Sequence, residues 1–272
     1  MAVDRRRLGA IVTPLRLALV LAAPVVLPAS PALAQSAPNP PEEKPPAKER
    51  PASNGVEIEV SSGHADRGLV ISDRPVVQPV VWVSGRVASF WAWTNFTLAE
   101  TTDGSLPQIL EMELTRELTW GNLTIGPAVR TYFYSDRMSI YSSRSMEGWL
   151  YLSYDVGPFR LFANQSLDVL TYPGAYFGTA GIELEGHVSQ HVEVGGVFGA
   201  GWASWEFNDA YVGIDKSTFN RVSVEGWLTA YVKPHFYVGP IFEFSTTVDR
   251  EVRAELDRPT FFFIGITTGV EF

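Results

Sequence analysis

Carboxylates fall at every second position along several stretches of this sequence. Glu111, Glu113 and Glu117 share one such face, Glu183 and Glu185 a second, and Glu57 and Glu59 a third. A period of two places residues on one side of a β-strand, so each series is a ribbon of acid. Aromatic rings sit in the same ribbons: Trp149 and Tyr151 between Glu147 and Asp155, and Trp227 and Tyr231 after Glu225. Rings of Asp and Glu favour cations over anions. Flat rings beside carboxylates can stack on sugars or nucleosides while the acids accept hydroxyl hydrogens. A structural reading stands beside the functional one: the rings fill a tapered interior and the acids pair with Arg130, Arg160 and Arg221. Those arginines are outnumbered, because Asp168, Glu193, Glu243 and Glu271 fall on the same faces. An acidic excess is therefore expected, with some carboxylates kept protonated by crowding and burial.

Catalytic readings of the same residues are weaker. Glu183, Glu185 and His187 are spaced i, i+2, i+4 and could share a face as metal ligands. His187 and His191 flank Ser189, but a nucleophile, its base and an orienting group must meet in space, and these lie at a tight turn. Paired carboxylates for glycoside hydrolysis stay open, although no pair stands out. The expectation is no catalytic residue, no metal and no cofactor.

The elements that must position these ribbons are strands. From residue 56 onward no stretch shows convincing helical periodicity. Twelve alternating segments run from 56–64 to 259–272. Tight turns at Gly85-Arg86, Gly121-Asn122, Gly157-Pro158, Ser189-Gln190 and Lys233-Pro234 alternate with longer polar loops at 65–76, 99–107, 135–144, 169–174, 207–218 and 249–258. An up-and-down meander with short turns on one side and long loops on the other is the plan of a bacterial outer-membrane barrel. The fold class is thus all-β, a transmembrane antiparallel barrel of about twelve strands with both termini periplasmic.

Each strand has one apolar face and one wet face. In 145–156, Met146, Leu150, Leu152 and Val156 alternate with Glu147, Trp149, Tyr151 and Asp155. Alternation alone fits a soluble barrel turned the other way. Lysine usage favours the membrane barrel over the soluble periplasmic one, which would purify without detergent: after residue 56 only Lys216 and Lys233 occur, whereas a soluble exterior mixes Lys with Glu and Asp. The wet face therefore points inward. The expected pore lining is Glu111, Glu113, Glu117, Arg130, Glu147, Trp149, Tyr151, Asp155, Arg160, Glu183, Glu185, Arg221, Glu225, Trp227 and Glu243, with Trp91, Trp93, Tyr132, Trp205 and Tyr231 adding rings. Apolar-face aromatics near strand ends, such as Trp120, Phe159 and Phe236, fit interfacial girdles. Arg116 is the awkward residue on the apolar face. It lies near the turn end, where an Arg costs about 0–1 kcal/mol rather than the ~2–4 kcal/mol of the bilayer midplane.

The net charge of −9 excludes a basic nucleic-acid footprint. The chain has no cysteine, hence no disulfide and no thiolate metal site. Residues 1–34 read as a secretory signal: Arg5 to Arg7, an apolar core from Leu17 to Leu27 and an Ala-Leu-Ala cleavage site at 32–34. Residues 35–55 are proline-dense and are expected to be a disordered periplasmic linker. The barrel domain is 56–272.

The first hairpin carries a resemblance. Arg67, Gly68, Ser72, Pro75, Gln78, Pro79, Trp93 and Asn95 resemble the opening of the TorF-like porin family, with Asp66 where that family has an aromatic residue. The alternating series Ile266, Val270, Phe272 is similar to the carboxy-terminal signal that barrel-assembly machinery reads. The resemblances imply an outer-membrane barrel of the porin kind, and the acidic, aromatic lining adds the expectation of a channel passing small cations or neutral polar solutes. A closed structural or adhesive barrel is the alternative, and an enzyme acting on envelope lipid or glycan is a third. The expected partners are outer-membrane lipid and lipopolysaccharide, the assembly machinery and small polar solutes, with no nucleic acid.

Overall fold

The computed structural model describes residues 53–85, 87–98, 109–134 and 144–272. The signal segment and most of the linker lie outside the described residues, as do the loop expected at 99–107 and all of that at 135–144 except Arg144.

The wall begins with β1 (Ser53–Ser61). A short pair, β2 (His64–Asp66) and β3 (Leu69–Ser72), follows, then β4 (Val76–Ser84), β5 (Ser89–Thr97), β6 (Ile109–Thr115), β7 (Leu118–Trp120) and β8 (Leu123–Tyr134). The remaining wall strands are β9 (Arg144–Val156), β10 (Phe159–Asp168), β11 (Tyr176–Ser189), β12 (Val192–Ala203), β13 (Thr218–Lys233), β14 (Phe236–Thr247) and β15 (Thr260–Glu271). Each pairs antiparallel with its neighbours. Closure comes from β1 against β15, in register from Gly55 opposite Glu271 to Ser61 opposite Gly265. No strand edge is left open to hydrocarbon, where backbone groups could not be satisfied.

β6 and β7 are two halves of one strand, because both pair with β8 in a single register. The interruption at Arg116 and Glu117 faces Pro127, which has no N–H to return a bond; the Arg116 amide still donates to the Pro127 carbonyl at 3.1 Å. The wall is therefore a closed barrel of twelve antiparallel strands.

The two faces separate by chemistry. Exposed outward are Val56, Ile58 and Val60 on β1, Leu150 on β9, Ile182 and Leu184 on β11, and Phe262, Ile264 and Ile266 on β15. Buried inward are Glu111, Glu113, Arg130, Glu147, Glu183 and Arg221. Soluble folds hide the first set and wet the second, so the outer surface is built for lipid. Among the described residues no helix is long and apolar enough to cross a membrane; the strands cross it.

Three expectations need correction. The loop placed at 65–76 is not an open external loop. Residues 64–72 fold inward as the β2–β3 hairpin, with His64, Ala65, Asp66, Arg67 and Leu69 all buried. The strand expected to bring Trp205 to the lumen stops at Ala203, because Ser204 caps a helix. Its Oγ accepts the Phe207 amide, and α1 (Trp205–Tyr211) turns Phe207, Asn208 and Tyr211 inward. Trp205 is consequently 48% exposed and lines nothing. A second short helix, α2 (Arg250–Glu255), starts at Asp249, whose carboxylate accepts the Glu251 and Val252 amides. Short periods of six or seven residues inside loops give too few turns for helical periodicity to register.

The apolar core sits at the loop end of the lumen. Leu69 of the hairpin packs with Tyr132, Phe177 and Ala203 of the wall and with Phe207 and Tyr211 of α1. Asn208 anchors the helix: its Nδ2 donates to the Lys216 carbonyl at 2.7 Å, and its Oδ1 accepts from Asn220 Nδ2 of β13 at 2.7 Å.

Candidate functional site

The inward faces of β6, β8 and β9 meet the tip of the hairpin and form a buried ion-pair cluster. Arg67 is the pivot. It occupies the first position of a two-residue turn, with Arg67 at φ 48° and Gly68 at φ 86° between the paired Asp66 and Leu69. Two successive positive φ values fit a type I′ hairpin turn. A non-glycine residue there costs about 1–2 kcal/mol, so its side chain must recover that elsewhere. Arg67 does so by a bidentate bond to Glu147: Nη1 donates to Oε1 at 3.1 Å and Nη2 to Oε2 at 2.6 Å. Nη2 also donates to Tyr132 Oη at 3.0 Å, while that hydroxyl donates to Glu147 Oε2 at 2.8 Å. Trp149 Nε1 donates to the same carboxylate at 2.9 Å.

A second knot lies beside it. Arg130 donates from Nε and Nη2 to Glu113 Oε2, at 2.9 and 2.7 Å. Glu113 further accepts from Tyr151 Oη at 2.6 Å, Trp91 Nε1 at 3.1 Å and Thr115 Oγ1 at 2.6 Å. The two knots are joined by Trp149, whose ring centre lies 3.9 Å from the Arg130 guanidinium and 5.1 Å from that of Arg67. Guanidiniums stack well on Trp faces, and desolvation strengthens the attraction.

Expected lining residues thus fall into separate groups. Glu111, Glu113, Arg130, Glu147, Trp149 and Tyr151 are brought together in this cluster. Arg160 bridges Asp155 at 3.0 Å and Glu183 at 3.4 Å nearer the turn end; Asp155 is more than half exposed there, at the rim. Glu225 stands directly opposite Glu243 across β13 and β14. Glu185 and Glu117 are half-buried on inward faces. Trp227 lies flat over Gly195 on β12, where an added Cβ would sit 2.0 Å from the ring. Arg221 lies by the hairpin, its stem packed on Gly68 and Gly201. At the other wall position of interest, Phe272 and Ile266 are exposed outward and Val270 is half-buried.

Sequence reasoning missed Asp66 and Arg67 as lumen residues, and so missed a fourth inward arginine. The available signal was the Arg67-Gly68 pair between Ala65 and the apolar Leu69, Val70 and Ile71. His187 faces Glu193, Nδ1 to Oε1 at 3.4 Å. Among the described residues no three His, Asp or Glu side chains are grouped to hold a metal.

Outside the barrel wall, α2 is tied to the segment after α1. Lys216 Nζ donates to Asp249 Oδ2 at 2.9 Å, and Thr218 Oγ1 donates to the same oxygen at 2.8 Å. The Lys216 bond and the capped amides hold the Asp249 carboxyl well below the usual carboxylate range. Arg258 in turn reaches Asp73, at the base of the hairpin, at 2.7 Å.

No protein-family model and no curated protein matches the chain. Solved structures with a similar course include the NanC porin, at 11% identity and TM-score 0.48, covering 80% of this chain and 98% of that one. The KdgM porin in complex with disordered oligogalacturonate aligns at 10% identity and TM-score 0.45, covering 81% and 98%. An outer membrane channel from Pseudomonas putida F1 aligns at 12% identity and TM-score 0.43, covering 85% and 100%. The barrel assignment stands on the strand ladder itself.

Proposed function

We propose that the chain is an outer-membrane porin-like channel that passes small cations and neutral polar solutes. The observation that carries this reading is the orientation of the wall: an acid-rich face turned inward within a closed, lipid-facing barrel. Twelve strands enclose more than the side-chain-filled interior of eight and less than the wide channel of sixteen, and the hairpin narrows the loop end further. Toward the turn end, beyond the hairpin, the inward wall of β11–β14 carries Glu183, Glu185, Glu225 and Glu243. The long loops and hairpin base face outward from the cell, and both termini lie in the periplasm. Lipopolysaccharide surrounds the outer belt, and the series ending in Phe272 engages the assembly machinery.

The test is planar-bilayer recording with the detergent-folded protein under a salt gradient. Steady current with a reversal potential on the cation side supports the channel, and Glu243→Gln lowers that preference. The packed hairpin and α1 favour one second reading, a closed structural barrel. That reading predicts no current from wild type and current only when the Arg67–Glu147 bond is removed.

A further inference from the structure

The outside of the wall beside the closing seam is not smooth. An open groove of about 710 Å³ is lined on its outward face by Val60 of β1, by Phe262, Ile264 and Ile266 of β15 and by Phe242 of β14, with Gly226 of β13 opposite Phe242. All but the glycine are exposed. Gly226 lets the Phe242 ring lie down on β13, since an added Cβ would sit 2.3 Å from it. The Phe242 and Phe262 ring centres are 6.2 Å apart. An acyl chain matches such a lining in shape and polarity. Apolar contact by itself would not select one lipid from another.

A cation is fixed at the loop end of the same strands. Val252 of α2 is buried, and its neighbour Arg253 reaches the outer face of the wall. Arg253 Nη1 donates to Thr246 Oγ1 at 2.9 Å, to Thr260 Oγ1 at 3.1 Å and to the Thr247 carbonyl at 3.0 Å. Thr246 and Thr260 stand opposite each other, one outward row beyond Phe244 and Phe262. Two residues along a strand span about 6.8 Å, so the guanidinium lies one row above a ring of the groove. A single nitrogen makes all three bonds, and Nη2 and Nε have no partner among the described residues. Arg250 lies three residues earlier on the same helix face; it is exposed and has no ion pair among the described residues. Like charges at this spacing repel. The nearby acids do not relieve them: Asp249 and Glu251 hold Lys216, and Asp73 holds Arg258. Glu255 follows Arg253 by two residues, a spacing that turns it off that face.

We propose that this face is a docking site for lipid A, the phosphorylated, multiply acylated anchor of lipopolysaccharide, with a phosphate on Arg253 and Arg250 and an acyl chain in the groove. The inference rests on the lipid-facing wall and outward loop end of the reading above, and not on whether the lumen conducts. Guanidinium forks match phosphate oxygens and form short, charge-assisted bonds with them. The rim supplies charge and the groove supplies apolar contact. Free phosphate would use only the rim, and a plain hydrocarbon only the groove. A ligand that carries both occupies both, and it meets the loop end from the outer leaflet. Nη1 meanwhile keeps the arginine fixed to the threonines, so the site is formed before the lipid arrives.

The full chain, folded in detergent, is titrated with lipid A and weighed by native mass spectrometry. Wild type is expected to retain one lipid A per barrel. Lipid A stripped of its phosphates should bind wild type more weakly by at least about tenfold, the size set by one hydrogen bond to a charged group. That arm needs no substitution and so is independent of folding. Arg253→Gln should show the same loss for intact lipid A and little further loss for the stripped form. Ile264→Trp, which fills the groove, should weaken both forms, with heat-modifiable migration showing that the variant barrel is folded. Equal retention of intact and phosphate-free lipid A would overturn the proposal. Phosphatidylglycerol held as tightly as lipid A would overturn it too, in favour of an ordinary annular lipid. A wild type that retains lipid A yet carries no current would sink the channel reading and leave this site standing.

Discussion

The two ends of the lumen are built from the same alternating strands and are nevertheless different materials. At the loop end, the hairpin and α1 enter the barrel and the wall's polar residues become a dry, interlocked cluster around Arg67, Arg130 and Trp149. At the turn end no described segment enters, and Glu185, Glu193, Tyr231 and Arg160 remain half-exposed. An inward strand face is therefore not in itself a pore lining. It becomes a core where another segment desolvates it and stays a wet wall where none does. In the first setting a charge must have a geometrically matched partner; in the second, water and mobile ions suffice.

Breaking a pair on each side gives the largest contrast. Glu147→Ala leaves Arg67 buried without its carboxylate, and the expected loss is about 3–5 kcal/mol. It is read as a lower unfolding midpoint, with larger or noisier current as the hairpin loosens. Glu243→Gln at the wetter wall should change stability by no more than about 0.5 kcal/mol while lowering cation preference. Equal stability losses from both changes would erase the distinction between the two ends.

A smaller effect sharpens the hairpin's role. Gly68 at φ 86° would place a Cβ 3.1 Å from Arg221 Cδ. Gly68→Ala should cost about 1–2 kcal/mol from the left-handed backbone alone. Its signature is faster hydrogen exchange at residues 64–72 with the wall strands unchanged. The smallest effect lies outside the barrel. Asp249 is held below the usual carboxylate range by Lys216 and the α2 amides, so its support for α2 is fully present above about pH 4. That support fades as the pH falls through the lower folded value. Hydrogen exchange across 249–258 should therefore stay slow at neutral pH and speed up in strong acid. Asp249→Ala, at about 1 kcal/mol for a lost cap, should remove the pH dependence.

The wall was legible because a membrane barrel writes its inside and outside into every second residue. Met146 against Glu147, or Ile182 against Glu183, needs no tertiary information to assign. The hairpin was not legible, because His64, Asp66 and Arg67 look like solvated loop residues until Glu147 and Tyr132, far along the chain, are brought to them. Trp205 was misplaced for a related reason. Alternation continues past Ala203 by chance, and only the Ser204 cap, whose partner is the Phe207 amide, ends the strand. Local patterns reveal surfaces; which surface becomes covered depends on contacts between segments remote in sequence. The expected leader and the linker up to residue 52 fall outside the described residues, residues 53–55 begin β1 instead, and the TorF-like likeness stays a resemblance.

The register of β1 on β4 holds up to Ser61 opposite Val76, immediately below the insert. The tongue is thus hinged on two neighbouring backbones clamped to each other, and it has no slack with which to shift by small amounts. If it leaves its seat it must swing as one rigid flap. An electrode would then record abrupt jumps between two discrete levels rather than a smooth drift.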